Sequence, residues 1–188
     1  MVGKMKGRYC LVGKKSAGIL LCRLKNKFLE VFLVHPGGPF WTKKDLGAWS
    51  IPKGEFTKDE NPLDVAKREF QEELGIDCTG EFIPLTPIKQ RGGKIVYAWA
   101  LEGDISPEQI KSNTFEIEWP PKSGKKQEFP EIDKGEWFNV SAAKQKIITS
   151  QSALIDELIN KLNLTEEQLK NRDRTARLKE GSSQIDLF

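Results

Sequence analysis

The chain has 188 residues, of which 38% are apolar, and this length and composition suit a domain with one well-packed core. Its charged residues, 30% of the chain, balance to a formal net charge of +3, which argues against a nucleic-acid coat protein or an acidic, halophile-like surface. No apolar run reaches the ~18 residues of a membrane-spanning helix, and three scattered cysteines without a CxxC pair (Cys10, Cys22 and Cys78) suit a reducing cytoplasm.

The first 29 residues are basic, because they contain no Asp or Glu. Two interpretations are open for this segment: a solvated basic edge, or a positive rim that attracts a polyphosphate. Its basic residues are Lys4, Lys6, Arg8, Lys14, Lys15, Arg23, Lys25 and Lys27.

A β-hairpin is predicted near the N-terminus. Residues 17–23 (AGILLCR) and 28–35 (FLEVFLVH) are typical of buried strands, and Asn26 with Lys27 forms the turn between them. A loop rich in Gly and Pro follows at residues 36–47, and residues 49–52 (WSIP) form a short extended piece.

The next element is a helix with clear start and stop signals. Asn61 suits the N-cap, Pro62 suits the first helical position, and Asp64 places negative charge in the first turn. The helix is predicted to end at Leu74, because Gly75 can adopt the left-handed conformation that terminates helices.

Two strands, residues 82–90 and 94–101, are predicted around a turn at Arg91-Gly92-Gly93. Residues 103–130 are predicted to be mostly loop. Within that loop, Trp119 and the basic stretch of residues 122–126 would either cover a substrate or form an exposed basic turn.

The C-terminal part is predicted to be helical after one short strand at residues 137–140. One helical segment spans residues 142–162 with a break near Ser150, and another spans residues 165–179 and begins with a capping box of Thr165 and Gln168. Strands and helices therefore alternate irregularly, which predicts a mixed β-sheet with helices packed on it, an α/β fold. We expect one domain over residues 1–162 and a C-terminal helical or partly disordered tail over residues 163–188.

The predicted helix has an acidic side next to an apolar side. The apolar side carries Leu63, Ala66, Phe70 and Leu74. Glu69, Glu72 and Glu73 lie on the adjoining side at i, i+3 and i+4, so their carboxylates can converge. Like charges this close repel one another, and a hard divalent cation such as Mg²⁺ or Mn²⁺ would offset the repulsion.

Seven residues around this helix follow a recognisable pattern. Gly54, Glu60, Arg68, Glu69, Glu72, Glu73 and Gly75 match in identity and spacing. The stretch resembles the Nudix box, GX5EX7REUXEEXGU, where U is a bulky apolar residue; Phe70 departs mildly, since an aliphatic residue is more usual there. Residues 15–162 look like one whole Nudix domain, particularly similar to bacterial nucleoside-triphosphate pyrophosphohydrolases. The resemblance implies a Nudix-type α/β/α sandwich.

The resemblance also implies roles for the box residues. The ligands of Mg²⁺, or of Mn²⁺, would be the carbonyl of Gly54 and the carboxylates of Glu69, Glu72 and Glu73. Arg68 would hold these carboxylates by charge-assisted hydrogen bonds. The catalytic set would contain Arg68, Glu72 and Glu73.

The general base is less well defined by the sequence. In the family it is a box glutamate or a glutamate in a later loop, and Glu131 resembles that loop residue. Glu128 is the near alternative, and each would otherwise be a plain surface acid. A base must come within hydrogen-bond distance of the water whose proton it removes, and that distance depends on the fold.

Five residues are candidates for substrate binding. Arg23 and Lys53 could contact phosphates, and Trp41 and Tyr97 could stack on a base, as could Phe40. Each has an ordinary structural alternative: a solvated charge for Arg23 and Lys53, and a core or hairpin position for Tyr97. His35, the only histidine, is expected to have a loop or capping role.

The implied activity is hydrolysis of a pyrophosphate bond in a small-molecule nucleotide, above all a dinucleoside polyphosphate or a nucleoside triphosphate. Capped or triphosphorylated RNA ranks lower because no RNA-binding motif is present, and ADP-ribose or NADH are further options. A non-catalytic nucleotide-sensing module is the alternative of another class, disfavoured because the box keeps all its carboxylates. We expect no membrane partner, a cytoplasmic location, and either a monomer or a homodimer.

Overall fold

The computed structural model describes residues 14–169. The basic residues Lys4, Lys6 and Arg8, the thiol of Cys10, and the predicted helix beyond residue 169 therefore lie outside the described residues. Across residues 14–169, no helix is long and apolar enough to cross a membrane.

Eight strands and four helices make up the described chain. The strands are β1 (Lys15–Lys25), β2 (Phe28–Pro36), β3 (Lys53–Phe56), β4 (Phe82–Lys89), β5 (Ile95–Glu102), β6 (Thr114–Glu118), β7 (Lys126–Pro130) and β8 (Ile132–Asn139). The helices are α1 (Pro62–Leu74), α2 (Val140–Lys146), α3 (Ser152–Lys161) and α4 (Glu166–Leu169).

Six of the strands form one mixed sheet with β1 at its centre. The order is β4-β5-β1-β2-β8, and β3 pairs with the first half of β1 on the same edge that β2 uses further along. The β1–β5 pair is parallel and the other pairs are antiparallel. Strands β6 and β7 form a separate two-stranded sheet.

The two faces of the sheet are covered by different helices. Alternate residues of a strand point to opposite faces, so β1 contributes Ala17, Ile19 and Leu21 to one core and Leu20 and Cys22 to the other. The first core contains the buried face of α1, and the second contains the buried residues of α2 and α3. The predicted α/β/α sandwich with a mixed sheet is confirmed.

Residues 103–130, predicted to be mostly loop, contain the β6–β7 hairpin, which the sequence did not predict. Phe115 and Ile117 alternate with exposed residues in β6, but both strands have only five residues, too few for a clear period of two. The four-residue strand β3 was also not predicted, because only its pairing with β1 marks it as a strand. Strand β8 is longer than the predicted residues 137–140.

The ends of helix α1 follow the predicted capping pattern. The Asn61 side chain accepts a hydrogen bond from the backbone N–H of Leu63 at 2.9 Å, and Pro62 occupies the first turn. Gly75 ends the helix with φ 71°, and its N–H donates to the Gln71 carbonyl. The capping box of Thr165 and Gln168 is also formed, at the start of α4.

Replacing Asn61 by Ala should destabilise the protein by about 1 kcal/mol, because an N–H in the first turn of α1 loses its acceptor. Asn61→Asp is the matched control, since a carboxylate can accept the same bond. Urea denaturation of the three proteins measures the difference. Equal stability of the parent and Asn61→Ala would show that the cap does not stabilise α1.

Candidate active site

The carboxylate site forms where α1 packs against β3. Register pairs Ala17 of β1 with Gly54 of β3, and α1 covers the same face of the sheet. The side chain of Glu69 is pressed against Gly54: a Cβ atom added to that glycine would lie 1.7 Å from Glu69 Oε2. Only glycine permits this approach, which places the backbone of β3 beside a carboxylate of the helix.

Glu73 lies half-buried one turn further along α1. Its Oε2 accepts a hydrogen bond from the backbone N–H of Lys53 at 3.1 Å. Burial raises the pKa of the Glu73 carboxyl to about 8, although the positive charge of Lys53 opposes this shift. The negative charge of Glu69 adds to the increase.

Arg68 links three acidic residues of the box. Its Nη2 donates to Glu69 Oε1 at 2.8 Å, its Nη1 donates to Glu60 Oε1 at 3.2 Å, and its Nε lies 3.7 Å from Glu72 Oε1. Glu60 is held in turn by Thr57, whose backbone N–H donates to Glu60 Oε2 at 2.8 Å. The guanidinium therefore orients Glu69 and Glu60, and the bond to Glu69 raises the pKa of Arg68.

Glu131 is brought to the box by backbone hydrogen bonds. Its N–H donates to the carbonyl of Asn113 at 2.8 Å, and the N–H of Asn113 reaches the carbonyl of Glu72 at 3.3 Å. Desolvation, followed by the negative charges of Glu69 and Glu72, raises the pKa of Glu131. Glu128, the alternative base, instead contacts the hydroxyl of Thr114 on the exposed side of the hairpin.

Lys53 is the predicted phosphate ligand that lies at this site. Burial lowers the pKa of its ammonium, while the negative charges of Glu73, Glu69 and Glu55 act in the opposite direction. An ammonium held beside carboxylates can attract phosphate oxygens into the same region.

The structure does not bring Arg23 to the box. It is paired with Glu30 at 2.6 Å and with Asp104, and its guanidinium lies 4.0 Å from the centroid of the Trp137 ring. Arg23 is five residues beyond Gly18 along β1, a separation of about 17 Å at ~3.3 Å per residue. Arg23 is therefore neither at the box nor a solvated charge, because its side chain is only 15% exposed and is held by these partners.

The two predicted stacking residues are engaged in the fold. Tyr97 packs edge-on against Phe56, with ring centroids 5.6 Å apart. Trp41 is half-buried against the core under α2 and α3, and the ammonium of Lys44 lies 4.4 Å from its ring centroid. His35 has the expected loop role, because its two ring nitrogens lie 2.7 Å from Asp133 Oδ1 and 2.8 Å from the Lys44 carbonyl.

Sequence reasoning missed two contributors to the site. The backbone N–H of Lys53 and the backbone groups of Asn113 fix Glu73 and Glu131, and no side-chain pattern indicates either contact. Only one residue separates the extended Trp49–Pro52 segment from Gly54, and this short spacing indicates that Gly54 continues an extended strand, β3, beside α1.

The donor set fits a hard divalent cation. Glu69, Glu72 and Glu73 supply carboxylate oxygens, and the missing Cβ of Gly54 leaves its backbone open to the same space. In residues 14–169, no three Asp, Glu, His or Cys side chains are already arranged around one point. Arg68 and the Lys53 N–H each hold one oxygen of Glu69 and Glu73, respectively, which leaves the second oxygen of each carboxylate for a cation.

Residues 13–158 match the sequence profile of the NUDIX domain family. The chain is 29% identical over 168 residues to the mRNA-decapping enzyme subunit 2 of Saccharomyces cerevisiae, which covers 86% of this chain. The chain spans about 15% of the length of that curated relative. It is also 26% identical over 129 residues to the RNA pyrophosphohydrolase of Bartonella henselae, covering 60% of this chain and 68% of that protein.

Solved structures share the fold at low sequence identity. An Ap4A hydrolase of C. elegans in a binary complex superposes with a TM-score of 0.54 at 16% identity, covering 79% of this chain and 98% of that one. The NUDIX domain of Shewanella oneidensis NrtR complexed with ADP ribose gives a TM-score of 0.56 at 14% identity, covering 80% and 89%.

Gly54→Ala should remove metal affinity without unfolding the protein. The new methyl group would meet the flexible end of Glu69, so the carboxylate moves while the backbone stays. Calorimetric titration with Mn²⁺ should show affinity at least tenfold weaker. Gly103→Ala is the control, because the nearest atom to its Cβ is a Leu21 methyl at 3.2 Å. Parent-like Mn²⁺ affinity in Gly54→Ala would contradict the site.

Glu73→Gln should stabilise the metal-free protein increasingly as the pH rises from about 4.5 to about 8. The folded pKa is raised from an ordinary 4.5 to about 8, so the parent loses stability over that window, whereas the amide does not titrate. Thermal unfolding in chelator at several pH values measures the difference. Glu136→Gln, at an exposed position, is the control. A difference independent of pH would contradict the buried carboxylate.

Proposed function

The chain belongs to the Nudix family, and from this membership we propose that it is a pyrophosphohydrolase that cleaves a nucleotide substrate with the help of Mg²⁺ or Mn²⁺. The observation that carries the proposal is that four carboxylates lie near enough for their charges to act on one another, although no three of them meet at one point within residues 14–169. Glu69, Glu72 and Glu73 come from one helix, and Glu131 comes from the turn that follows β7. A structural role alone does not account for such an accumulation of negative charge beside a buried lysine.

We assign the metal ligands to Glu69, Glu72, Glu73 and the Gly54 carbonyl. When bound there, Mg²⁺ or Mn²⁺ would neutralise phosphate oxygens and favour ionisation of water. Arg68 holds one oxygen of Glu69 at 2.8 Å and the Lys53 N–H holds one oxygen of Glu73 at 3.1 Å, so the second oxygen of each carboxylate would bind the cation.

Three further side chains complete the proposed chemistry. Glu131 would accept the proton of the attacking water, and its raised pKa brings it closer to neutral pH, where a general base works best. Lys53 would bind an oxygen of the diphosphate. Arg68 would keep Glu69 and Glu72 oriented, anchored itself by Glu60.

For the substrate we retain two candidates. A dinucleoside polyphosphate or a nucleoside triphosphate follows from the resemblance of the whole domain. The 5′ end of RNA, capped or triphosphorylated, is supported by the relatives in Saccharomyces cerevisiae and Bartonella henselae, which are named for mRNA decapping and RNA pyrophosphohydrolysis. We place the catalytic domain within residues 1–162, although Leu164 and Leu169 also pack against the core.

A substrate panel tests the proposal. Diadenosine tetraphosphate, nucleoside triphosphates, ADP-ribose, NADH, and capped and triphosphorylated RNA are each incubated with the chain and Mg²⁺ or Mn²⁺. We expect metal-dependent release of phosphate or a nucleotide from at least one of them, and the products identify the attacked phosphorus. Nucleotide binding without turnover of any substrate would favour the non-catalytic sensing module.

Glu131→Gln should lower kcat by about 10²- to 10⁴-fold with little change in KM, because it removes a base without removing a proposed metal ligand. Glu128→Gln is the matched control, since it is a neighbouring glutamate on the exposed side of the hairpin. Steady-state kinetics on the best substrate of the panel decides. Equal loss in both variants, or no loss in Glu131→Gln, would exclude Glu131 as the base.

A further inference from the structure

The β6–β7 hairpin connects the carboxylate site with an aromatic surface. At its root, Pro130 of β7 pairs with Thr114 of β6, and Glu131 follows directly. At its other end, Trp119 follows β6, and the backbone N–H of Trp119 donates to the Lys125 carbonyl at 2.8 Å. The same hairpin therefore carries the proposed base at one end and a tryptophan at the other.

The hairpin packs on the loop between β2 and β3. The N–H of Gly37 donates to the Glu131 carbonyl at 2.8 Å, and a Cβ added to Gly38 would lie 3.0 Å from the ring of Phe115. Further along, the rings of Phe40 and Trp119 meet edge to face, with centroids 5.4 Å apart and an interplanar angle of 83°. We call Phe40 and Trp119 the aromatic pair.

The aromatic pair is not fully accounted for by packing. Phe40 is 61% exposed, whereas Phe115, whose ring packs against Gly38, is half-buried. An exposed phenylalanine ring held edge to face against a tryptophan leaves aromatic surface open to solvent. Such surfaces stack on nucleobases, and they do so with little preference among the bases.

The distance between the aromatic pair and the carboxylate site matches the length of one nucleotide. Trp119 lies one residue beyond the Glu118–Lys126 pair, and four residues separate that pair from the Thr114–Pro130 pair at the hairpin root. At ~3.3 Å per residue, the Glu118–Lys126 strand pair lies about 13 Å from the Thr114–Pro130 pair next to Glu131. A nucleotide with its phosphates among the carboxylates would therefore bring its base toward the aromatic pair.

The charge around the pair also suits a nucleotide. Lys126 is paired with Glu116 at 2.7 Å, and Glu118 accepts a hydrogen bond from the Gly124 N–H. Among residues 14–169, neither Lys122 nor Lys125 of the connecting turn forms a salt bridge. Both lysines are exposed in the turn that connects Trp119 to β7, so they add positive charge that attracts a polyanion to this surface.

We propose that Phe40 and Trp119 form the base-stacking subsite for the nucleotide whose phosphates bind at the carboxylate site, in a position that neither Trp41 nor Tyr97 fills. This proposal rests on the proposed function, since it takes the carboxylate site as the phosphate end. It predicts that the base contributes affinity through its ring face, so adenine and guanine nucleotides should bind similarly and a polyphosphate without a base should bind more weakly.

Calorimetric titration of the full chain with two probes, in Mg²⁺, tests the subsite. The probes are adenosine 5′-(β,γ-imido)triphosphate and inorganic tripolyphosphate, which lacks a base. We expect the parent to bind the nucleotide more tightly. Phe40→Ala and Trp119→Ala should each weaken nucleotide binding about tenfold or more and leave tripolyphosphate binding unchanged.

Two controls separate stacking from packing. Leu46→Ala removes an apolar side chain that is 69% exposed on the same loop and should bind both probes like the parent. Trp119→Phe keeps an aromatic face and should restore most of the nucleotide affinity. Because Phe40 is mostly exposed, Phe40→Ala keeps the test valid even if Trp119→Ala fails to fold.

The outcomes distinguish this subsite from the proposed function. The subsite is overturned if the parent does not prefer the nucleotide, or if Phe40→Ala weakens both probes equally or neither. Ring-dependent nucleotide binding without turnover of any substrate in the panel would leave the subsite standing and contradict the hydrolase. Turnover of a substrate, together with nucleotide binding that does not depend on the Phe40 or Trp119 ring, would contradict the subsite and leave the hydrolase standing.

Discussion

The contact between helix α1 and strand β3 is the constraint on which the candidate site depends. Glu69 fills the space where any other residue at position 54 would have a Cβ atom, so only glycine leaves room for this carboxylate against the strand. The pairing of β3 with β1 fixes the position of Gly54 along the sheet. The buried apolar face of α1 fixes which side of the helix faces β3. Fold and site are therefore set by the same packing.

This arrangement concentrates negative charge at a cost in stability. Arg68 and Lys53 offset part of the charge, yet burial still raises the pKa of Glu73 to about 8. A carboxyl group whose folded pKa lies above its unfolded pKa destabilises the folded state near neutral pH. A cation bound among the carboxylates would remove that penalty, which connects the electrostatics of the metal-free protein with the proposed metal dependence.

Local signals were readable from the sequence, whereas tertiary neighbours were not. Asn61 and Gly75 marked the ends of α1 because capping depends on adjacent residues. The β6–β7 hairpin was missed because its short strands are mostly exposed. Spacing predicted the glutamates of the box, but it could not reveal that Arg23 pairs with Glu30, since the register of β1 and β2 decides which side chains meet.

The central claim is that the glutamates of α1 bind a divalent cation, and direct Mn²⁺ binding measured by electron paramagnetic resonance tests it without substrate or turnover. Comparison with Glu72→Gln is informative because Glu72 is held only by a 3.7 Å contact with Arg68 among the described side chains. We predict Mn²⁺ binding in the parent chain and affinity at least tenfold weaker in Glu72→Gln. Equal binding in the two proteins, or none in the parent, would contradict the account.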